Sequence, residues 1–153
     1  MHTVNRKHVG RITAADFQGQ MVRLIRSLGL HAPNRTPCGR PVSVAEAHAL
    51  LELTQQAPLS QTVLSRRLAL EKSTVSRLVV ALAGRQWVKR TRSDGDGRAL
   101  LLNLTPAGRK AASQLADSRR RMFSRLFQGI PSADRTSVLR AVDTLVKVIY
   151  ENR

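Results

Sequence analysis

Cysteine occurs once in the 153 residues, at Cys38. No disulfide can close within the chain, so the fold must rest on its hydrophobic core, and a reducing, cytoplasmic setting is the expectation. Aromatic residues make up only 3%, too few for the stacking platforms on which single-strand binders lay bases. No run of about 18 apolar residues occurs, so no membrane span is expected. The basic opening "MHTVNRKHVGRIT" lacks the apolar centre of a secretion signal. Acidic residues are scarce as well, 10 against 26 Lys+Arg, which leaves a formal charge of +16. Such an excess points to a polyanionic partner, nucleic acid before an anionic membrane surface. The membrane alternative is the weaker, because no helix pairs a basic face with large exposed apolar residues.

Catalytic constellations are missing too. There is no Ser-His-Asp set, paired-carboxylate signal or phosphate-cradling glycine loop, so an enzyme is not expected. His31 and His48 have no His or Cys partner at metal spacing. His48 and Glu52 share a helix face, but two residues make no metal site. Neither a metal nor a cofactor is expected.

What is present is mainly helix. With 42% hydrophobic and 24% charged residues, the length suits one domain with a real core. Residues 1–13 read as a basic arm. Phe17, Met21, Leu24 and Leu28 mark one face of a helix over 14–30. Three prolines and a glycine make "HAPNRTPCGRPVS" a loop. Ser43 caps a helix over 44–57 with Val44, Ala47, Leu50, Leu51 and Leu53 inward. Pro58 ends it. Ser60 caps a short helix over 61–69, with Leu59 and Leu64 placed as a hydrophobic staple.

After the turn "LEK" comes a helix over 72–84. Val75, Leu78, Val79 and Leu82 form its core stripe, and Ser73, Thr74, Ser76 and Arg77 lie opposite. Two short helices around a tight turn, the second bearing small polar and basic residues near its start, form a helix-turn-helix. Strands over 87–92 and 98–104 follow, joined by "SDGDG", whose glycines suit a hairpin tip. Leu100, Leu102 and Leu104 alternate as in a half-buried strand. A long helix runs over 106–127 with Pro106 in its first turn. The last helix, over 132–150, carries Val138, Val142, Leu145 and Ile149. The stripes on the first and last helices either pack on their own domain or fold together as a dimer interface.

"DGRALLLNLTPAG" matches the D-x-R-x-x-x-x-x-L-T-x-x-G signature at Asp96, Arg98, Leu104, Thr105 and Gly108. "LEKSTVSRLVVAL" likewise resembles a recognition helix of the same group. From Ser43 to Gly108 the chain resembles the MarR family of winged helix-turn-helix regulators. The resemblance implies a mainly α fold with a small β-hairpin wing. It implies a DNA-binding domain over 43–105, with helices over 14–30 and 106–153 interlocking in a homodimer. It further implies a repressor on a pseudo-palindromic operator, relieved by a small anionic or phenolic effector or by an oxidant. Three residues depart from the family pattern: Ala69 and Gln86 stand where glycine is usual, and Glu71 stands where Ser or Asp would cap. Each departure should cost roughly 1 kcal/mol through a strained left-handed position or a lost cap. The loop over 31–42 is long for the family.

Within this frame the site residues take roles. Arg98 at the wing tip suits a narrow minor groove, with Asp96 holding its guanidinium in one direction. Ser73, Thr74 and Ser76 are short enough to let the helix sit deep in the major groove. Arg77 can bond guanine O6 and N7, and Lys72 at the helix start favours phosphate. Arg66, Arg67, Arg85, Lys89, Arg90 and Arg92 are candidates for phosphate contacts, which add affinity without sequence information. Trp87 and Val88 read as core beneath the wing. Cys38, near Arg35 and Arg40, is either an inert loop cysteine or a thiol sensor. The run "SRRRMFSR" over 118–125 is a ligand-anion clamp, a DNA-backbone contact or a solvated helix face, the last being the default. The alternative function is a less specific architectural DNA-binding protein, in which charge outweighs base contacts.

Overall fold

The computed structural model describes residues 12–92 and 100–152. Its elements are α1 (Ala14–Ser27), α2 (Val44–Gln56), β1 (Leu59–Ser60), α3 (Gln61–Leu68), α4 (Lys72–Gly84), β2 (Val88–Arg92), β3 (Leu100–Leu104), α5 (Pro106–Gly129) and α6 (Arg135–Glu151), with a short 3₁₀ turn at Ser132–Asp134 before α6. Helix starts follow the sequence closely because side chains fix them. Ser43 accepts from the Glu46 amide while Glu46 reaches back to the Ser43 N–H, a reciprocal capping box. Ser60 accepts from the Val63 amide and Thr105 from the Gly108 amide.

The ends and one strand differ from expectation. α1 stops at Ser27 rather than 30, where Gly29 takes φ +71°. The short helix ends at Leu68 because Ala69 is left-handed (φ 52°, ψ 42°). α5 runs two residues past Phe127, to Gly129. The segment after Pro58 adds a third strand. β1 pairs with β3 at Leu59↔Leu102, giving an antiparallel sheet of order β1-β3-β2.

The core gathers α2, α3, α4 and the sheet. Leu50, Leu53, Leu64, Val75, Val79, Leu82 and Leu102 are all essentially inaccessible to solvent. Two residues of α5, Ala112 and Leu115, close it from the other side. By contrast α1 and α6 contain no buried residue. Phe17, Leu24, Val142 and Ile149 of their apolar stripes are exposed, and Met21 and Leu145 only half-covered. The stripes therefore do not pack fully on this chain's own domain. No described helix is long and apolar enough to cross a membrane.

Candidate nucleic-acid interface

The turn between α3 and α4 fixes the angle at which α4 is presented. The Leu70 amide donates to the Ser65 carbonyl at 3.1 Å, and the Ser65 hydroxyl returns a bond to the Leu70 carbonyl. Ala69 takes the left-handed conformation that glycine adopts freely, as does Gln86 (φ 58°) after α4. Both strained positions anticipated from the sequence are present. Glu71 makes no side-chain cap, so the first amides of α4 remain open to an acceptor from outside the protein.

Val75, Leu78, Val79 and Leu82 seat α4 on the core. The opposite surface carries Ser73 and Arg77, both exposed, with Lys72 exposed at the helix start. Thr74 and Ser76 lie on the flanks and are half-buried. Arg66 on α3 and Arg92 at the end of β2 are exposed on neighbouring elements, as are Lys89 and Arg90. None of these six cations forms an ion pair with a described residue. Asp96 and Arg98 lie outside the described residues.

Two of the phosphate-contact candidates already have partners within the protein. Arg67 donates to Glu52 at 3.2 Å and also to Gln56, both on α2. Arg85 lies 3.8 Å from Glu46, donates to the Pro41 carbonyl at 3.3 Å and stacks 5.1 Å from the Trp87 ring centroid. These arginines brace α2 against the reading unit, and their guanidinium groups are already engaged. Sequence alone gave no sign of it, because each polar pairing joins residues at least 11 positions apart.

The wing base is fused to α5. The Thr105 amide donates to the Trp87 carbonyl at 3.0 Å, and its hydroxyl donates to the Gln86 carbonyl at 2.6 Å. A Cβ on Gly108 would fall 1.9 Å from the Trp87 carbonyl oxygen, so glycine is required there by close approach. Leu104 is buried in the core. Across the hairpin, the Asn103 amide group donates to the Thr91 hydroxyl at 2.9 Å.

A cavity of about 250 Å³ opens between the end of α1, the proline-rich loop, α2 and α5. Leu28, Leu30, Val44, Leu51, Leu115, Met122 and Phe123 give it apolar walls, and Thr36, Cys38, His48 and Arg119 supply polar groups. Arg119 forms no ion pair or hydrogen bond with a described residue. The run over 118–125 is therefore not a uniform solvated face. Arg120 pairs with Asp117 and Arg121 donates to Ser118, while Arg119, Met122 and Phe123 turn to the cavity. Cys38 is half-buried, its Sγ 3.2 Å from the Thr36 hydroxyl. The Arg40 guanidinium donates to Gln114 at 2.6 Å. Among the described residues, no three His, Cys, Asp or Glu side chains are grouped as metal ligands.

A helix-turn-helix with an antiparallel hairpin behind it is a winged helix-turn-helix fold. Residues 41–99 match the model of the MarR family, so the chain is similar there to that family of transcriptional regulators. It is 23% identical over 139 residues to an HTH-type transcriptional regulator of Mycobacterium leprae, covering 91% of this chain and 94% of that one. Its fold is similar to Streptococcus pneumoniae FabT, solved in complex with DNA (TM-score 0.71, 17% identity, 91% of this chain and 96% of that one). It is also similar to the Streptomyces coelicolor PcaV regulator, solved with its natural ligand (TM-score 0.67, 19% identity, 91% and 98% covered).

Proposed function

We propose that this regulator is a homodimeric repressor that reads a pseudo-palindromic operator in double-stranded DNA with α4 and is released by a small anionic or phenolic effector. The observation that carries the reading is the surface of α4 opposite its core stripe. It bears Lys72, Ser73 and Arg77 exposed together, and the cations there have no described protein partner. Unpaired guanidinium and ammonium groups beside small hydroxyls suit phosphates and base edges. Arg98, aimed by Asp96, extends the contact into the flanking minor groove.

Dimerisation is supported by α1 and α6, which expose apolar stripes along their lengths and bury nothing. Continuous apolar surface of this kind is costly in water, and a second copy would cover it symmetrically. The effector reading is supported by the cavity. A ring fits against Leu51, Met122 and Phe123, and a carboxylate fits the free guanidinium of Arg119. The cavity favours a ligand over an oxidant, since Cys38 packs against the core with its thiol engaged by Thr36. FabT bound to DNA and PcaV bound to its ligand are consistent with both halves of the reading.

Selection of bound sequences from a random duplex library at about 0.15 M salt, near physiological screening, tests it. The expected result is a pseudo-palindrome with half-sites about one helical turn apart. Enrichment of A·T content alone would overturn it in favour of an architectural DNA-binding protein.

A further inference from the structure

The exposed surface of α4 is not wholly polar. Val80 stands on it with 59% of its surface open to solvent. Seven residues make almost two full helical turns, so Val80 lies in line with Ser73, and Arg77 stands between them on the same face. The core stripe is on the other side, where Val79 is fully buried. Val80 therefore contributes nothing to the core. It is also a poorer helix former than alanine, since its β-branch restricts χ1 against the preceding turn. An exposed β-branched residue in a helix interior lowers intrinsic helix stability and gains no packing in the free protein.

We propose that Val80 is a specificity-determining residue whose methyl groups pack against the C5-methyl of a thymine in the operator half-site. The inference rests on the proposed operator reading and assigns one base preference within it. The major groove displays a single apolar group, the thymine methyl, and an aliphatic side chain meets it without leaving a polar atom unpaired. Ser73 and Arg77 hydrogen-bond along the same face, and Val80 has no hydrogen bond to give. It lies about 10 Å along the helix axis from Ser73. The thymine should then fall within about three base-pair steps of the bases that Ser73 meets.

The test is a double-mutant cycle between protein and DNA. Wild type and Val80→Ala are titrated on the selected operator and on duplexes in which each thymine in turn is replaced by deoxyuridine, which removes the methyl alone. Wild type should lose about fourfold in affinity at one thymine per half-site, the value of burying roughly one methyl group. Val80→Ala should bind the unmodified operator correspondingly less well and be indifferent to deoxyuridine at that position. Its thermal midpoint should not fall, which separates base reading from folding. An operator whose thymines all tolerate deoxyuridine would overturn the assignment and leave the operator reading intact. So would a deoxyuridine penalty that persists in Val80→Ala. If selection yields no half-site at all, the operator reading and this assignment fall together.

Discussion

Gly108→Ala reports directly on the joint between wing and α5, because two physical effects predict opposite signs. Alanine is the better helix former, and in an open helical position the change would stabilise by about 1 kcal/mol. Here the new Cβ would sit 1.9 Å from the Trp87 carbonyl oxygen and 2.8 Å from the carbonyl carbon. An ordinary C···O contact is about 3.3 Å, so the first turn of α5 must retreat by more than an ångström from backbone that cannot swing aside. That retreat breaks the 3.0 Å bond from the Thr105 amide and the 2.6 Å bond from its hydroxyl, each worth about 1 kcal/mol net. Overpacking adds roughly 1–3 kcal/mol. After the helix-propensity gain, the net loss is about 2–4 kcal/mol, a large part of the roughly 5–15 kcal/mol that holds a domain folded. Equilibrium urea unfolding at fixed protein concentration measures it, and the midpoint should fall by roughly 1–2 M. Gly19→Ala is the control. Gly19 lies inside α1 with nothing within 4 Å of its added Cβ, so that variant should gain stability. A rise in midpoint for Gly108→Ala as well would refute the close-packed joint.

The remaining predictions concern single side chains. Arg77→Ala should cost about 1–3 kcal/mol on the operator and flatten sequence preference; Arg66→Ala should weaken operator and random duplexes alike and reduce the salt slope by about one. Equal effects of both variants on both DNAs, by fluorescence anisotropy, would contradict the division of labour. Arg119→Gln should abolish the thermal stabilisation given by a bound aromatic carboxylate while leaving DNA affinity in place. Ala69→Gly should raise stability by up to about 1 kcal/mol, because it relieves a left-handed alanine; an unchanged midpoint would show that the turn carries no strain. The Thr13 hydroxyl, and after it the Thr13 backbone N–H, hold the Asp16 carboxyl below the ordinary aspartate range, with burial opposing weakly. A lowered folded-state pKa stabilises the capped form above the unfolded value and loses that contribution as pH falls through the folded value. Protection of the first amides of α1, taken relative to their intrinsic exchange rates, should therefore be steady near neutrality and fall only in acid. Thr13→Ala should remove that acid dependence.

The helix-turn-helix was legible because its determinants are local. Ser43, Ser60 and Thr105 mark helix starts by chemistry that acts within three residues, and the stripe Val75, Leu78, Val79 and Leu82 reports burial through period alone. β1 was not legible, since two residues cannot show a period of two. The bracing by Arg67 and Arg85 was hidden for a different reason. An arginine on a helix surface looks the same in sequence whether it meets a carboxylate from another helix or solvent. The basic run over 118–125 shows the same limit, because only the packing of α2 and of the segment after α1 against α5 separates Arg119 from Arg120. The stripes of α1 and α6 were visible as stripes. That they remain uncovered within one chain is a property of the folded arrangement.

The signature that carries the family resemblance divides into two mechanical parts. Asp96 and Arg98 lie between β2 and β3 in the sequence, outside the described residues, whereas Leu104, Thr105 and Gly108 weld the β2–β3 hairpin to α5. α5 continues without a break from Pro106 to Gly129, and Arg119, Met122 and Phe123 on it line the cavity. From Thr105 to Arg119 is about 20 Å of continuous helix. Under the effector reading, a ligand that shifts α5 at Arg119 acts on a rod whose other end is bonded to the backbone of Gln86 and Trp87. A loose joint at that end would absorb the shift before it reached the wing. A glycine with no room for one added carbon, beside a threonine bonded to the backbone of the turn that precedes β2, makes the joint stiff. The stringency at 105 and 108 therefore has a source other than DNA contact: these residues keep the wing in register with the helix that forms the cavity wall.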